Sequence, residues 1–122
     1  MAENKQYITH IQENGTVMIS EDVVASIIAL SVKEVEGVVS LSVKPGADIA
    51  DMFGKKNWGK GMKIAIADDN SLTVDCDVLI GYGQSVVAVA QAVQESVTSH
   101  LESMTAAKVA SVNINVCGIV RQ

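Results

Sequence analysis

Aromatic residues are scarce in this 122-residue chain: Tyr7, Phe53, Trp58 and Tyr82 make up 3% of it. A core must therefore be built from smaller side chains, and 19 valines and 13 alanines are the material for it. Cysteine is scarce too. Cys76 and Cys117 are too few for a disulfide framework and suit reduced thiols in the cytosol. A chain of this length forms one domain and buries roughly two thirds of its unfolded surface, so folding requires no disulfide or metal. Long apolar runs are missing. The densest stretch, Val23 to Leu30, is interrupted by Ser26 and falls far short of the ~20 residues of a spanning helix. Met1 to Gly15 lacks the basic and apolar regions of a signal peptide, so a cytosolic protein is expected. A net charge of −5 argues against general affinity for DNA, RNA or an anionic bilayer. With 48% of residues apolar, the chain is also no candidate for disorder.

What is present is alternation of two periods. Residues 1–14 carry little pattern and are expected to form a loosely ordered tail, with a single domain over 15–122. Thr16 to Ile19 reads as a strand. Ser20 is a helix cap, with Glu21 and Asp22 at the positive end of the dipole. Val24, Ile27, Ile28, Ser31 and Val35 follow at helical spacing, widened by a second row of Val23, Ile27 and Leu30. Gly37 is the stop. Val38 to Val43 reads as a strand ended by Pro45, and Asp48 to Phe53 as one or two helical turns. Gly54 to Gly61 is glycine- and lysine-rich and reads as an exposed loop. Met62, Ile64 and Ile66 form a strand. Turn residues Asp68 to Ser71 lead into Leu72, Val74, Cys76, Val78 and Ile80, the apolar side of a second one. Ser85 caps a long helix with a stripe of Val86, Ala90, Val93, Val97, Leu101 and Met104. Val109 to Val120 is the last strand. The order β-α-β-loop-β-β-α-β predicts an α+β two-layer sandwich, with two amphipathic helices on a mixed sheet.

Chemistry-bearing motifs fall short of their templates. Gly54 to Gly61 approaches a phosphate-binding loop, but Gly61 stands where a magnesium-binding hydroxyl belongs, and a strand follows rather than a helix. Gly81-Tyr82-Gly83 has Val86 in place of the third glycine of a dinucleotide turn. Asp68, Asp69, Asp75 and Asp77 lack calcium-loop spacing. His10 and His100 have no ligand set in view, and neither cysteine has a base beside it. No catalytic, metal or cofactor residue is assigned. Two surfaces stand out instead. One is the polar side of the sheet, carrying Thr73, Asp75, Asp77, Asn113 and Asn115. The other is the basic loop of Lys55, Lys56, Lys60 and Lys63 around Trp58, which reads either as cover for a sheet edge or as a partner anchor.

The order of segments resembles the alkaline shock protein family, the envelope stress response proteins of Gram-positive bacteria. The resemblance rests on Gly15-Thr16-Val17-Met18-Ile19, Glu21-Asp22-Val23-Val24 and Glu34-Val35-Glu36-Gly37-Val38. It continues through Gly54-Lys55-Lys56-Asn57, Lys60-Gly61-Met62-Lys63-Ile64, Leu72 to Ile80, Tyr82-Gly83 and Val93-Gln94-Glu95-Ser96-Val97. Val112-Asn113-Ile114-Asn115-Val116 and Gly118-Ile119-Val120 complete it. It implies a non-enzymatic cytosolic scaffold of envelope stress homeostasis, recruited to the membrane by a membrane-anchored protein partner and able to self-associate into a homo-oligomer. It assigns no catalytic residues. The alternatives are a peripheral binder of anionic lipid or nucleic acid through the Lys/Trp loop, and an accessory subunit of a metabolic kinase. Nucleic acid is the weaker of these targets, since one Trp and four lysines make a thin stacking platform.

Overall fold

The computed structural model describes residues 7–41 and 61–121. Along them run β1 (Tyr7–Gln12), β2 (Gly15–Ser20), α1 (Glu21–Glu34), β3 (Val38–Leu41), β4 (Met62–Ile66), β5 (Leu72–Gly81), α2 (Val86–Thr105) and β6 (Val109–Val120). The expected α+β class holds: two helices lie against a mixed sheet. The readings over Ser42 to Lys60, including the helical turns, Lys55, Lys56, Trp58 and Lys60, lie outside the described residues.

β5 organises the sheet because its two sides are both in use. On one side β4 pairs antiparallel with Leu72 to Cys76, and β3 pairs antiparallel with Val78 to Ile80. The two short strands thus lie end to end, with Gly61 O accepting from Asp77 N at 2.8 Å and Gly37 O from Gly81 N at 2.9 Å. On the other side β6 runs parallel to β5 from Leu72↔Val109 to Gly81↔Val120. A parallel neighbour requires a long crossover, and α2 supplies it. Leu72, Val74, Cys76, Val78 and Ile80 all face the helices and are fully buried.

The helices bury stripes that overlap those read off the sequence but differ at their margins. In α1 the Ser20 hydroxyl accepts from Val23 N at 3.3 Å, as its capping position predicts. The buried residues are Val24, Ala25, Ile27, Ile28, Ser31 and Val32, while Val23 and Leu30 of the expected second row are exposed. In α2 the buried stripe is Val89, Val93, Val97, Leu101 and Thr105; Val86 and Met104 lie outside it. The four-residue spacing makes this row a ridge slanting along the helix. It accommodates Thr105 because the hydroxyl donates to Leu101 O at 2.6 Å. Gly37, at φ +100°, occupies a backbone conformation that side chains resist, and a Cβ there would stand 2.8 Å from Val89 Cγ2.

Tyr7–Gln12, assigned to a loose tail by the sequence reading, is instead a strand. β1 pairs with β2 from Tyr7↔Ser20 to Gln12↔Gly15. Ile8 anchors the hairpin by complete burial, with Ile19 beside it packed against the core. Asn70, at the β4–β5 turn, donates to Thr9 O at 2.8 Å and accepts from Thr9 N at 3.2 Å. His10 Nε2 lies 2.6 Å from Thr105 O, which can only accept, so this nitrogen carries a proton. Replacing Ile8 by Ala is expected to cost about 2–4 kcal/mol in urea unfolding, against less than about 0.5 kcal/mol for Ile11→Ala, whose side chain sits outside the core. Equal small losses would show that the hairpin is not bound.

Candidate interaction surface

Because side chains alternate along β5, the five buried apolar residues leave Thr73, Asp75 and Asp77 on the opposite side. The neighbouring strands align with them. Lys63 and Ala65 of β4 stand opposite Asp75 and Thr73. Ser111, Asn113 and Asn115 of β6 stand opposite Thr73, Asp75 and Asp77. The structure therefore brings Lys63, Thr73, Asp75, Asp77, Asn113 and Asn115 onto one face, as the period-two pattern requires.

The carboxylates and amides on this face are fixed in pairs. Asn113 Nδ2 donates to Asp75 Oδ1 at 3.0 Å, and Asn115 Nδ2 donates to Asp77 Oδ1 at 3.1 Å. A carboxylate only accepts, so each asparagine must turn its NH2 inward and leave its carbonyl as an acceptor. The face is acceptor-rich, with Lys63 supplying a cation. The two pairs differ in environment. Asp75 is half-buried, whereas Asp77 is only 7% exposed, against the expectation of a solvated side chain. Its position toward the middle of the paired β5, with an amide across from it, makes that burial tolerable.

Other candidates resolve into structural roles. A serine, a histidine and a carboxylate meet between α1 and α2. His100 Nε2 lies 3.4 Å from Glu34 Oε2, and His100 Nδ1 lies 3.3 Å from Ser96 Oγ. Nδ1 is also 2.7 Å from Ser96 O, which only accepts, so Nδ1 bears a proton and cannot take one from the hydroxyl. The Ser96 hydroxyl donates to Ser31 O at 3.0 Å instead. The trio ties two helices together. Asp69 accepts from the hydroxyl and backbone N–H of Ser71, which hold its carboxyl below the usual range. No group of three His, Cys, Asp or Glu side chains converges as a metal site among the described residues. Burial pushes the Cys76 thiol up to about 12, with Asp75 and Asp77 adding to the rise, so it is a protonated core residue as expected.

A surface that the sequence reading missed is the outer side of the β1–β2 hairpin. Tyr7, Ile11 and Met18 share it, the latter two 85% and 57% exposed. The signal was the alternation of Tyr7, Thr9 and Ile11 with Ile8 and His10, which only becomes legible once β2 is recognised as their partner.

Residues 9–121 match the model of the alkaline shock protein 23 family, described as having a cell envelope-related function. The chain is 34% identical over 111 residues to the uncharacterized protein YqhY of Bacillus subtilis, spanning 91% of this chain and 79% of that one. It is 36% identical over 108 residues to the uncharacterized protein Spy1535 of Streptococcus pyogenes, spanning 88% and 81%. Spy1614 of the same organism is 28% identical over 109 residues, spanning 88% of this chain and 89% of its own length. No solved structure matches. The chain belongs to the alkaline shock protein family, as the order of its segments implied. No helix among the described residues is long and apolar enough to cross a membrane.

The difference between the two Asp–Asn pairs is measurable. Asn115→Ala strips the amide from a buried carboxylate and is expected to cost about 1–3 kcal/mol by chemical denaturation, whereas Asn113→Ala costs less than about 1 kcal/mol. Cys76 has a folded-state value near 12 against an ordinary 9.0. The unfolded chain therefore loses this proton first as pH rises. The stabilisation is complete below pH 9 and is lost between pH 9 and about 12, with a slope near 1.4 kcal/mol per pH unit at most. Cys76→Ala should flatten that part of the stability–pH curve, and an unchanged curve would contradict it.

Proposed function

We propose that this protein is a non-enzymatic adaptor of cell-envelope stress homeostasis, held at the membrane by a protein partner and able to associate with copies of itself. The observation that carries this reading is the open face of the sheet. Its carboxylates and amides are fixed before any partner arrives, which lowers the ordering cost of binding. An acceptor-rich face with a single lysine is matched to the N–H and cationic groups of a protein, and it repels an anionic lipid surface. The envelope-related description of the family supports the location. Lys55, Lys56, Trp58 and Lys60, outside the described residues, are proposed as a second set of partner contacts, with Trp58 as anchor.

Co-sedimentation separates protein-mediated from lipid-mediated attachment. The protein should pellet with vesicles made from the native membrane and not with protein-free anionic liposomes. Thr73→Lys with Asn113→Lys on the open face should reduce that binding at least about tenfold, since misplaced like charges disfavour a matched partner strongly. Equal binding to bare liposomes, lost at high salt, would replace the adaptor by a lipid binder acting through the basic loop.

A further inference from the structure

Exposed strand edges attract further strands unless something interrupts them, and most edges here are interrupted at some point. On β1, the Asn70 amide both donates to and accepts from Thr9, in the place a neighbouring strand would occupy. On β6, Gln94 Nε2 donates to Val112 O at 3.0 Å, and a register shift opposite Val78 and Leu79 disturbs the strand further on. β4 carries Lys63, and β3 has four residues with an irregular register.

Among the described residues β2 has no such device. Thr9 and Met18 are partners in the hairpin, and the N–H and C=O of Thr9 point to Asn70, away from β2. In an antiparallel ladder the peptide groups of Met18 must then point away from β1, and those of Thr16 and Ser20 point the same way. Among the described residues no backbone group from outside the hairpin bonds to Thr16 or Met18. β2, with the sequence GTVMIS, contains no charged side chain. A strand that pairs with its own copy places every charge near its like, so the absence of charge on β2, shared with β1, β3 and β6, leaves a two-fold contact unopposed.

We propose that β2 is the strand to which a second copy of this chain adds. The pairing is antiparallel about a two-fold axis at Met18, with Thr16 opposite Ser20 of the second copy. Two hairpins then form one four-stranded sheet, and the exposed Tyr7, Ile11 and Met18 of both copies merge on one side of it. This inference rests on the self-association in the function proposed above and specifies where it occurs.

Sedimentation velocity over a concentration series tests it. Thr16→Lys with Met18→Lys sets lysines against each other at the contact and should raise the dimer dissociation constant at least about tenfold, while the far-UV spectrum and melting temperature stay close to those of the parent. In a Cys117→Ser background, Met18→Cys should yield a disulfide-linked dimer on oxidation and Ile11→Cys should not. If the parent dimerises but the lysines leave it intact and Met18→Cys fails to cross-link, the edge assignment is overturned and self-association stands. A parent that remains monomeric at every concentration overturns both, leaving membrane recruitment to be judged by the vesicle experiment alone.

Discussion

The hydrogen bonding of β5 on both its sides is the constraint on which the rest of the molecule depends. A strand that donates and accepts in two directions can sit in the middle of a sheet, and only there can one of its faces be wholly apolar without exposing its backbone. That face gives the two helices their seat. The same strand's other face holds Asp75 and Asp77 at fixed positions opposite Asn113 and Asn115. Core and candidate contact surface are therefore two sides of one element, and a shift of β5 by one residue would exchange them.

The central sheet was legible because its period is unambiguous. Leu72 to Ile80 alternates without a break, and the turn at Asp68 to Ser71 has the side chains to close it. Asn70 adopts φ 70°, which asparagine tolerates. The helices were legible as helices but less so in phase. α2 is rich in valine and alanine on several flanks, so Val86 and Met104 fit an apolar stripe as well as Val89 and Thr105 do. What decides is the neighbour: Gly37 and α1 meet the Val89 flank, and a buried threonine is admissible because its hydroxyl bonds within the helix. In α1 the error had the same origin, since Ala25 and Val32 are apolar enough to replace Val23 and Leu30 as the inner row.

β1 was missed for a different reason. Its register with β2 is set by the short turn between Gln12 and Gly15, while its place on the molecule depends on contacts distant in sequence, from Asn70 to Thr9 and from Thr105 to His10. Local marks of a strand were present, in the β-branched and aromatic residues of Tyr7 to Ile11 and in the Asn14-Gly15 turn chemistry before β2, but they are weak beside those distant contacts. The five residues expected on the polar side do share a face, but Lys63, read as part of the basic loop, joins them and Asp77 is buried, because the period-two argument knows sides and not depth. The alkaline-shock resemblance was readable because its segments follow one another in fixed order, although each is short.

The parallel pairing of β5 with β6 also bears on how the molecule assembles. β4 and β5 are joined by a tight turn, so their ladder can close early. The Asp75–Asn113 and Asp77–Asn115 contacts span 38 residues of chain and must wait until α2 has formed and folded back, because a long loop closes at an entropic cost before any contact rewards it. During that interval one side of β5 is an unpaired template open to other nascent chains. The rate at which α2 docks thus sets how long each new copy is vulnerable to aggregation.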